Sequence, residues 1–277
     1  MFRSDNHNAP SGKNRAESAS ENPVMNFAEN CAVFHNGDWF EVYYVGANLT
    51  IDAIVTNTSD LESALADANV KVIYLKSGEY GTIKAKSNKT IIGSTAADVE
   101  CVALNGADNV TLINIEFDAA DAKIAYDGKG NGKQYANILS GDANKNASGS
   151  ENLVIDGCKF TGTFADGGVA IAFTDQGRTS GQSGNITIKN CTFETKNGYY
   201  DIYCHYSGKG EFVIENNVFN SEILGLPIYL GRYQSSTPVV VKGNTFARCA
   251  TFGDAAYIQD HSNYGVSFDA SNNTFAN

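Results

Sequence analysis

The chain contains 277 residues with a formal net charge of −11, and 42% of the residues are hydrophobic. This hydrophobic content is sufficient for a substantial core, while the acidic balance disfavours nucleic acid as a partner, because such partners select a basic surface. No segment approaches the roughly 18 consecutive apolar residues of a membrane span, so the sequence predicts no membrane contact.

Residues 1–23 are polar and predict an N-terminal arm that is disordered on its own. The arm lacks the apolar segment of a secretion signal, so we expect synthesis and folding in the cytoplasm without a signal peptide. None of the six cysteines shows zinc-type C-x-x-C spacing, and reduced thiols are expected in that compartment. A disulfide between Cys158 and Cys191 is the alternative.

The sequence predicts a small β-hairpin docking unit at residues 24–57. Two alternating segments flank Asn36-Gly37, the strongest two-residue hairpin signal, and residues 48–55 are a third strand candidate. The alternative is that these strands form the first coil of the structure that follows.

A short amphipathic helix is predicted next. Ser59-Asp-Leu-Glu62 has the pattern of a capping box. Leu61, Ala64, Leu65 and Ala68 lie on one stripe of the helix that this box would open, over residues 61–68.

The remainder of the chain repeats one pattern six times. The clearest copies are residues 152–160, 185–193, 211–219 and 238–246, with an earlier copy at 109–117 and a looser one at 265–275. In the tightest copies the final phenylalanines are 26 and 27 residues apart. Self-similarity at a fixed period of this length is typical of a solenoid.

Each copy predicts a strand, a turn and a second short strand. Alternating apolar residues form the first strand. The second turn position is always Asn or Gly, the residues that adopt left-handed backbone at low cost: Asn114, Gly157, Asn190, Asn216, Gly243 and Asn272. Stacked coils would then align the phenylalanines in one column, beside a structural ladder in which neighbouring asparagines hydrogen-bond. This ladder would contain Ile115, Cys158, Cys191, Asn217, Asn244 and Asn273.

On these motifs the chain resembles the right-handed parallel β-helix proteins of the pectin-lyase-like superfamily, over roughly residues 59–277. The resemblance implies an all-β fold, with a right-handed parallel β-helix over residues 58–277 and the short helix covering its N-terminal end. It implies no single activity, because this superfamily includes lyases, hydrolases, epimerases, adhesins and phage tailspikes.

The second strand of each coil predicts a candidate binding face. Aligning residues 170–175, 201–206, 227–232 and 256–261 places three tyrosines in one outward column, with polar residues beside them or at the strand ends. The tyrosines are Tyr203, Tyr229 and Tyr257, and the polar residues are His205, Gln259, Asp175, Arg232, Asp260 and His261. Aromatic rings suit the apolar faces of sugars, while polar groups fix their hydroxyls. The alternative is an aromatic ladder that only stabilises the sheet surface.

The resemblance also implies what an enzyme of this fold would need. Polysaccharide lyases of the superfamily use an Arg or Lys base, usually with calcium held by carboxylates, and the candidates here are Arg232, His205 and His261. Asp175 and Asp260 lie about three coils apart, hence roughly 14 Å, which is too far for a glycosidase pair. No catalytic motif of the family is matched residue by residue. We therefore predict no catalytic residue, metal or other cofactor, and calcium would enter only with a lyase.

The sequence favours one function and leaves two alternatives. The favoured function is a non-enzymatic virion component, a phage capsid-decoration, fibre or tailspike-like protein exposed at the virion surface. Its partners would be a capsid or tail protein bound through residues 1–57, a surface polysaccharide, and further copies of the chain at a C-terminal coil that no helix covers. The alternatives are a polysaccharide lyase or related uronate-acting enzyme, and a glycan-binding surface adhesin.

Overall fold

The computed structural model describes residues 24–26, 30–35, 38–43, 48–94, 97–127, 133–141, 147–175, 181–205, 209–231, 239–248, 258–260, 268–269 and 271–275. Of these, the residues up to 50 and residues 127, 133, 209, 231, 258–260 and 268–269 are described by their backbone alone. The first elements are β1 Val24–Asn26, β2 Asn30–His35, β3 Asp38–Tyr43, β4 Asn48–Thr50, β5 Ala53–Val55 and the helix α1 Thr58–Ala66.

The other elements are strands, with one 3-10 turn at Ala119–Asp121. Those before the clearest repeats are β6 Val72–Leu75, β7 Gly78–Lys84, β8 Lys89–Gly93, β9 Ala97–Ala103, β10 Val110–Ile113, β11 Glu116–Asp118, β12 Ile124–Asp127 and β13 Lys133–Ser140. Those within the repeats are β14 Glu151–Asp156, β15 Lys159–Thr161, β16 Val169–Phe173, β17 Gly184–Lys189, β18 Thr192–Phe193, β19 Tyr200–His205, β20 Lys209–Glu215, β21 Val218–Phe219, β22 Ile228–Gly231, β23 Val239–Lys242, β24 Thr245–Phe246, β25 Ile258–Asp260, β26 Phe268–Asp269 and β27 Thr274–Phe275.

Two long sheets of mainly parallel strands make up most of the described structure. The first sheet has the strand order β26-β23-β20-β17-β14-β10-β8-β6-β5. The second has the order β25-β22-β19-β16-β13-β9-β11-β15-β18-β21-β24-β27, with β7 paired to β9 and β12 to β13. From β14 to β25 each repeat adds one strand to the first sheet and two to the second, and each such set is called a coil below. The predicted all-β fold with parallel strands is confirmed.

The predicted turns and the phenylalanine column are both present. The Asn or Gly at the second turn position has φ between 51° and 66° in all six copies. Behind these turns the rings of Phe117, Phe160, Phe193, Phe219, Phe246 and Phe275 stack in sequence, with centroids 4.9–5.4 Å apart. The repeat therefore stacks in the register that its sequence predicts.

Beside the phenylalanines, inward asparagines join consecutive coils. Asn217 Nδ2 donates to Asn244 Oδ1 at 3.0 Å, and Asn244 Nδ2 donates to Asn273 Oδ1 at 3.1 Å. The side-chain oxygens of this column also accept from turn backbone: Cys191 N–H donates to Asn217 Oδ1, and Asn217 N–H donates to Asn244 Oδ1. Cys158 and Cys191 continue the column as buried free thiols. Each buried amide thus satisfies main-chain groups that would otherwise be unpaired.

A second asparagine ladder, which was not predicted, runs along the surface where strands of the first sheet begin. Asn109 Nδ2 donates to Asn88 Oδ1, Asn152 to Asn109 and Asn185 to Asn152, at 2.8–2.9 Å. All four have φ between 51° and 62°. Gly210 takes the next position, where a Cβ would collide with Asn185 Oδ1. In the sequence, three copies of the repeat begin with an asparagine, at 109, 152 and 185, and this recurrence is the pattern from which the ladder could have been predicted.

The helix differs from its prediction at both ends. It begins at Thr58, and its N-cap is Asn57 rather than Ser59: Asn57 Oδ1 accepts from Asp60 N–H at 2.9 Å, and Asn57 Nδ2 donates to Asp60 Oδ2 at 2.8 Å. It ends at Ala66, so Ala68 is exposed, while Leu61, Ala64 and Leu65 belong to the core. Among the described residues, no helix has the length and apolar character needed to cross a membrane.

The strands before the helix divide between two structures. β2 and β3 form the predicted hairpin, with His35 opposite Asp38, and β1 pairs with β4. β5 instead pairs in parallel with β6 in the first sheet, and its last residue Val55 and the nearby Ile51 are buried. The first sheet thus begins at Ala53, before the predicted boundary at residue 58.

One outward column of the first sheet changes character along its length. In the pairing register it contains Tyr74, Ile92, Ile113, Asp156, Lys189, Glu215 and Lys242. The first three face away from the core yet are at most 1% exposed, so other parts of the chain cover them. The charged members alternate in sign, with Lys189 Nζ 3.4 Å from Asp156 and Lys242 Nζ 3.5 Å from Glu215. In this charged part of the column, opposite charges therefore attract each other between neighbouring coils.

Candidate functional site

The predicted binding face lies on the second sheet, across β13, β16, β19 and β22. Its outward column is Leu139, Ala172, Tyr203, Tyr229 and Gln259. In this register Ile258 lies opposite Ile228 and Gln259 follows Tyr229, whereas Tyr257, which was predicted for that position, lies outside the described residues. A strand alternates with period two, so a register shift of two residues preserves the inward and outward pattern and could not be recognised from the sequence.

A break in strand alternation adds Tyr200 to this face. In β16, Ala170 and Ile171 both belong to the core, while Ala172 packs on the outer side. In β19 the N–H groups of the adjacent residues Asp201 and Ile202 both donate to Pro227 O, at 3.0 and 2.9 Å. This irregularity places Tyr200 and Tyr203 on the same face, although they are three residues apart. Strict period-two alternation assigns them to opposite faces, which is why Tyr200 was missed.

Five side chains form a cluster that we call the tyrosine patch: Tyr126, Tyr200, Tyr203, Tyr229 and His205. The rings of Tyr203 and Tyr229 stack with centroids 5.0 Å apart and an interplanar angle of 15°. The Tyr200 ring lies 5.1 Å from that of Tyr229 and 5.5 Å from that of Tyr203. Tyr126, which the sequence did not single out, packs on Tyr203 at 5.9 Å. Its strand β12 folds back antiparallel onto β13, a long-range placement that no local pattern indicates.

The patch has a buried base and a half-buried surface. Tyr126, Tyr203 and His205 are 1%, 6% and 7% exposed, whereas Tyr200 and Tyr229 are half-buried. The base is fixed by hydrogen bonds, because Tyr203 Oη lies 3.1 Å from His205 Nδ1 and Tyr126 Oη donates to Gln134 Oε1 at 2.8 Å. Tyr200 and Tyr229 therefore remain partly accessible to solvent above a base that is fixed by packing and hydrogen bonds.

The hydroxyls of Tyr126 and Tyr200 keep their protons at neutral pH. Burial, with a smaller contribution from Tyr229, raises the pKa of Tyr200 above that of an ordinary tyrosine. Burial also raises the pKa of Tyr126 well above its usual value. Neutral hydroxyls both donate and accept hydrogen bonds, so the patch combines apolar ring faces with uncharged polar edges.

Asp175 does not reach this surface as predicted. The residue is fully buried, and its Oδ2 accepts from the Ser183 backbone N–H. A Cβ at Gly149 would lie 2.6 Å from the same oxygen, so the main chain packs closely around this carboxyl group. Asp175 thus organises the interior of a turn rather than a binding face.

A second carboxyl group, that of Asp201, is buried beside Thr195 and Ser221, which lie just beyond the ends of β18 and β21. Ser221 Oγ donates to its Oδ1 at 2.7 Å and Thr195 Oγ1 donates at 3.2 Å. Burial raises the pKa of Asp201 to about 7, although both hydrogen bonds oppose the shift. Its Oδ2 has no hydrogen-bond partner. Asp201 begins the predicted strand at residues 201–206, and nothing in that pattern indicated this environment.

The other predicted site residues are not placed by the structure. Arg232, Tyr257 and His261 lie outside the described residues, and Gln259 and Asp260 are described by their backbone alone. Within the described part of the chain, no group of three or more His, Cys, Asp or Glu residues could hold a metal ion. Comparison with models of known protein families and with curated proteins finds no match to this chain.

Proposed function

We propose that the chain is a non-enzymatic virion component of the pectin-lyase-like β-helix type, whose tyrosine patch binds a surface polysaccharide. The observation that carries glycan binding is the pair of half-buried rings of Tyr200 and Tyr229, 5.1 Å apart, above the buried side chains of Tyr126, Tyr203 and His205. Aromatic faces pack against the apolar faces of sugar rings, and the neutral hydroxyls at their edges can bond to sugar hydroxyls.

Rigidity distinguishes this patch from a scattered set of surface aromatics. Tyr203 is stacked against Tyr229, packed under Tyr126 and within hydrogen-bond distance of His205. Little side-chain entropy remains to be lost when a ligand binds, which favours affinity. Gly225 lies close to the Tyr200 ring, and Leu224, which precedes it, is 66% exposed.

A binding role is further supported by the positions of the nearest carboxyl groups. Asp175 and Asp201 are buried and accept hydrogen bonds from a turn N–H and from two hydroxyls. Neither is presented to a ligand on the tyrosine patch. A lyase would instead rely on Arg232 with His205 or His261, and the assay below separates the two functions.

Attachment through residues 1–57 to a capsid or tail protein is the second part of the proposal. Within the described residues, β1 pairs only with β4 and β2 only with β3, so these strands are separate from both long sheets. This organisation suits a unit with its own partner. Light scattering on the full chain tests it: we expect a trimer, or a defined complex when capsid or tail protein is added, and a monomer that binds neither contradicts it.

Glycan binding is tested by removing the exposed rings one at a time. The full chain is screened against a panel of bacterial surface polysaccharides, and the best ligand is titrated by calorimetry. Tyr200→Ala and Tyr229→Ala should each weaken binding at least about fivefold, since stacking of this kind contributes about 1 kcal/mol or more. Tyr229→Phe keeps the ring and should retain most of the affinity.

Val218→Ala is the matched control, because Val218 is a 37% exposed apolar residue on β21, outside the patch. Equal loss in this variant, or no binding to any polysaccharide, contradicts the glycan-binding role. New unsaturated ends in a uronate polysaccharide would contradict the non-enzymatic role and favour the lyase.

A further inference from the structure

Three consecutive strands of the second sheet share one irregularity. In β13, β16 and β19, two residues that are three positions apart both pack in the outer cluster of this sheet: Ala136 with Leu139, Val169 with Ala172, and Tyr200 with Tyr203. Between the members of each pair, the register aligns Asn137, Ala170 and Asp201, all of them 0% exposed. We call these three residues the corner column. The column faces inward, because Ala170 packs in the core.

Each end of the corner column has one oxygen atom that no other described residue bonds. These atoms are Asn137 Oδ1 and Asp201 Oδ2. Buried polar atoms in native proteins are nearly always hydrogen-bonded, either to the protein or to ordered water. Two unsatisfied oxygens in one column therefore indicate a shared partner.

The hydrogen bonds that these two side chains do make turn the unsatisfied oxygens towards each other. Asn137 Nδ2 donates to Asp118 O at 2.9 Å and to Glu100 O at 3.4 Å, on the side of β13 that faces β9 and β11. Asp201 Oδ1 accepts from Ser221, which belongs to the next coil, away from β16. The second oxygen of each side chain is therefore on the side of Ala170, which lies between them.

The coil that contains Ala170 offers space between the two oxygens but no polar side chain. The side chain of Ala170 ends at Cβ, where the two other members of the column carry an amide and a carboxyl group. Gly162 of this coil takes the position that a threonine holds in the next coil. A Cβ on Gly162 would meet Asp118 Oδ1, which is an acceptor already bonded to Ala120 N–H. None of these groups can join the two oxygens.

The spacing suits one water molecule. Neighbouring strands lie about 4.8 Å apart, so the Cα atoms of Asn137 and Asp201 are about 9.6 Å apart. Two hydrogen bonds through one water span about 5.6 Å, so each side chain has to reach only about 2 Å along the stack. Water both donates and accepts, and it can therefore bond Asp201 Oδ2 with or without a proton while it donates to Asn137 Oδ1.

We propose that the corner column is a binding site for one ordered water molecule, held between Asn137 Oδ1 and Asp201 Oδ2 beside Ala170. The water joins β13 to β19 across β16, at the irregularity that places Tyr200 on the outer face. It is thus a structural ligand that supports the base of the tyrosine patch. Its binding does not depend on the proposed glycan binding.

The first test is a high-resolution crystal structure of the full chain. It should show one density peak about 2.7–3.2 Å from both oxygens, and in Ala170→Ser the new hydroxyl should replace this peak. A metal ion, recognised by oxygens at about 2.3–2.6 Å, overturns the proposal. So does a corner without density, or one filled by the ring of Phe164, which is the buried aromatic residue of the same coil.

The second test measures coupling in solution by urea denaturation. Asn137→Ala and Asp201→Ala each remove one side of the water site, and the effects of two side chains that share no partner multiply in the unfolding equilibrium constant. A bridging water should make the effect of the double variant at least about threefold smaller than that product. Asn137→Ala with Asn244→Ala is the control, since Asn244 lies far along the stack beside β24, and here the effects should multiply. Simple multiplication in the first pair overturns the proposal.

A third comparison serves if a double variant does not fold. Ala170→Ser should unfold at the wild-type urea concentration or above it, because its hydroxyl takes over the hydrogen bonds of the water. Ala172→Ser is the matched control in the same strand, where the outer cluster surrounds the new hydroxyl with Leu139, Tyr126 and Tyr203, and it should unfold at a lower concentration. An equal loss of stability in the two serine variants overturns the proposal, whatever the result with glycans.

Discussion

At the scale of single residues, the buried carboxyl of Asp201 has the clearest consequence for stability. Its folded-state pKa of about 7 lies above the value of about 3.9 for an unfolded aspartate. Between these values the folded chain binds a proton that the unfolded chain releases, so stability falls as pH rises through this range and is level above it. Asp201 therefore favours the folded state most at low pH, the reverse of an aspartate held by a cation.

Replacing Asp201 by asparagine should remove this pH dependence. Asparagine keeps an oxygen for Ser221 and Thr195 and resembles the protonated acid. Between pH 5 and pH 8 the wild type should lose about 2 to 3 kcal/mol more unfolding free energy than Asp201→Asn, as measured by urea denaturation. Asp166→Asn, at an exposed aspartate, controls for the loss of one charge. Parallel pH profiles for wild type and Asp201→Asn would contradict the buried, protonated state.

At the scale of elements, the inward asparagines bind each turn to the next coil. Asn217 and Asn244 are at most 1% exposed, and their Nδ2 atoms also donate to Ile188 O and Ile214 O at 3.0 Å. Each therefore bonds a carbonyl and an N–H of the preceding coil, while its Nδ2 also donates to the asparagine of the next coil. An apolar residue of similar size fills the space but leaves these main-chain groups buried without partners.

The double variant Asn217→Leu with Asn244→Leu tests this role. Two buried N–H groups, those of Cys191 and Asn217, and two carbonyls lose their partners, at about 1 kcal/mol or more each. Urea denaturation should show a loss of at least about 3 kcal/mol. Val218→Leu with Thr245→Leu places the same side chains on the outer side of the same turns and should change little. An unchanged midpoint in the inward variant would mean that the ladder does not stabilise the fold.

The elements also show what the sequence could predict. The turns, the phenylalanine column and the asparagine column follow from local spacing that recurs in every copy, so stacking in register reproduces them. The tyrosine patch depends on departures from that spacing. Residues 170 and 171 both point into the core although they are adjacent, and Ile258 pairs two residues away from the expected register. In addition, β12 folds back onto β13 and brings Tyr126 to the patch. These depend on contacts between distant segments, which period and propensity do not encode.

At the scale of the whole molecule, stability of a stack of coils is carried by contacts between neighbours, and its ends are its weak points. At the N-terminal end α1 covers the core, but its last turn contains no basic residue to stabilise the helix C-terminus. Lys89, from β8, supplies that charge. Its Nζ donates to Ala64 O at 3.2 Å, to Asp67 O at 2.6 Å and to Val70 O. Burial lowers the pKa of Lys89, and the neighbouring Lys71 adds to this effect.

Lys89→Met should therefore release the helix from the end of the stack while leaving the repeats intact. Three carbonyls lose a buried donor, and hydrogen bonds to a charged group contribute about 1.5 kcal/mol or more each. Hydrogen exchange should accelerate at least about tenfold in α1 and β6, with little change in β17 and β20, because coupling in a stack fades with distance from the altered coil. Lys71→Met removes an exposed lysine from the same end and should leave exchange in α1 unchanged. Faster exchange throughout both sheets would show instead that the molecule unfolds as one unit. The variant therefore measures how strongly α1 stabilises the N-terminal end and how far cooperativity extends along the coils.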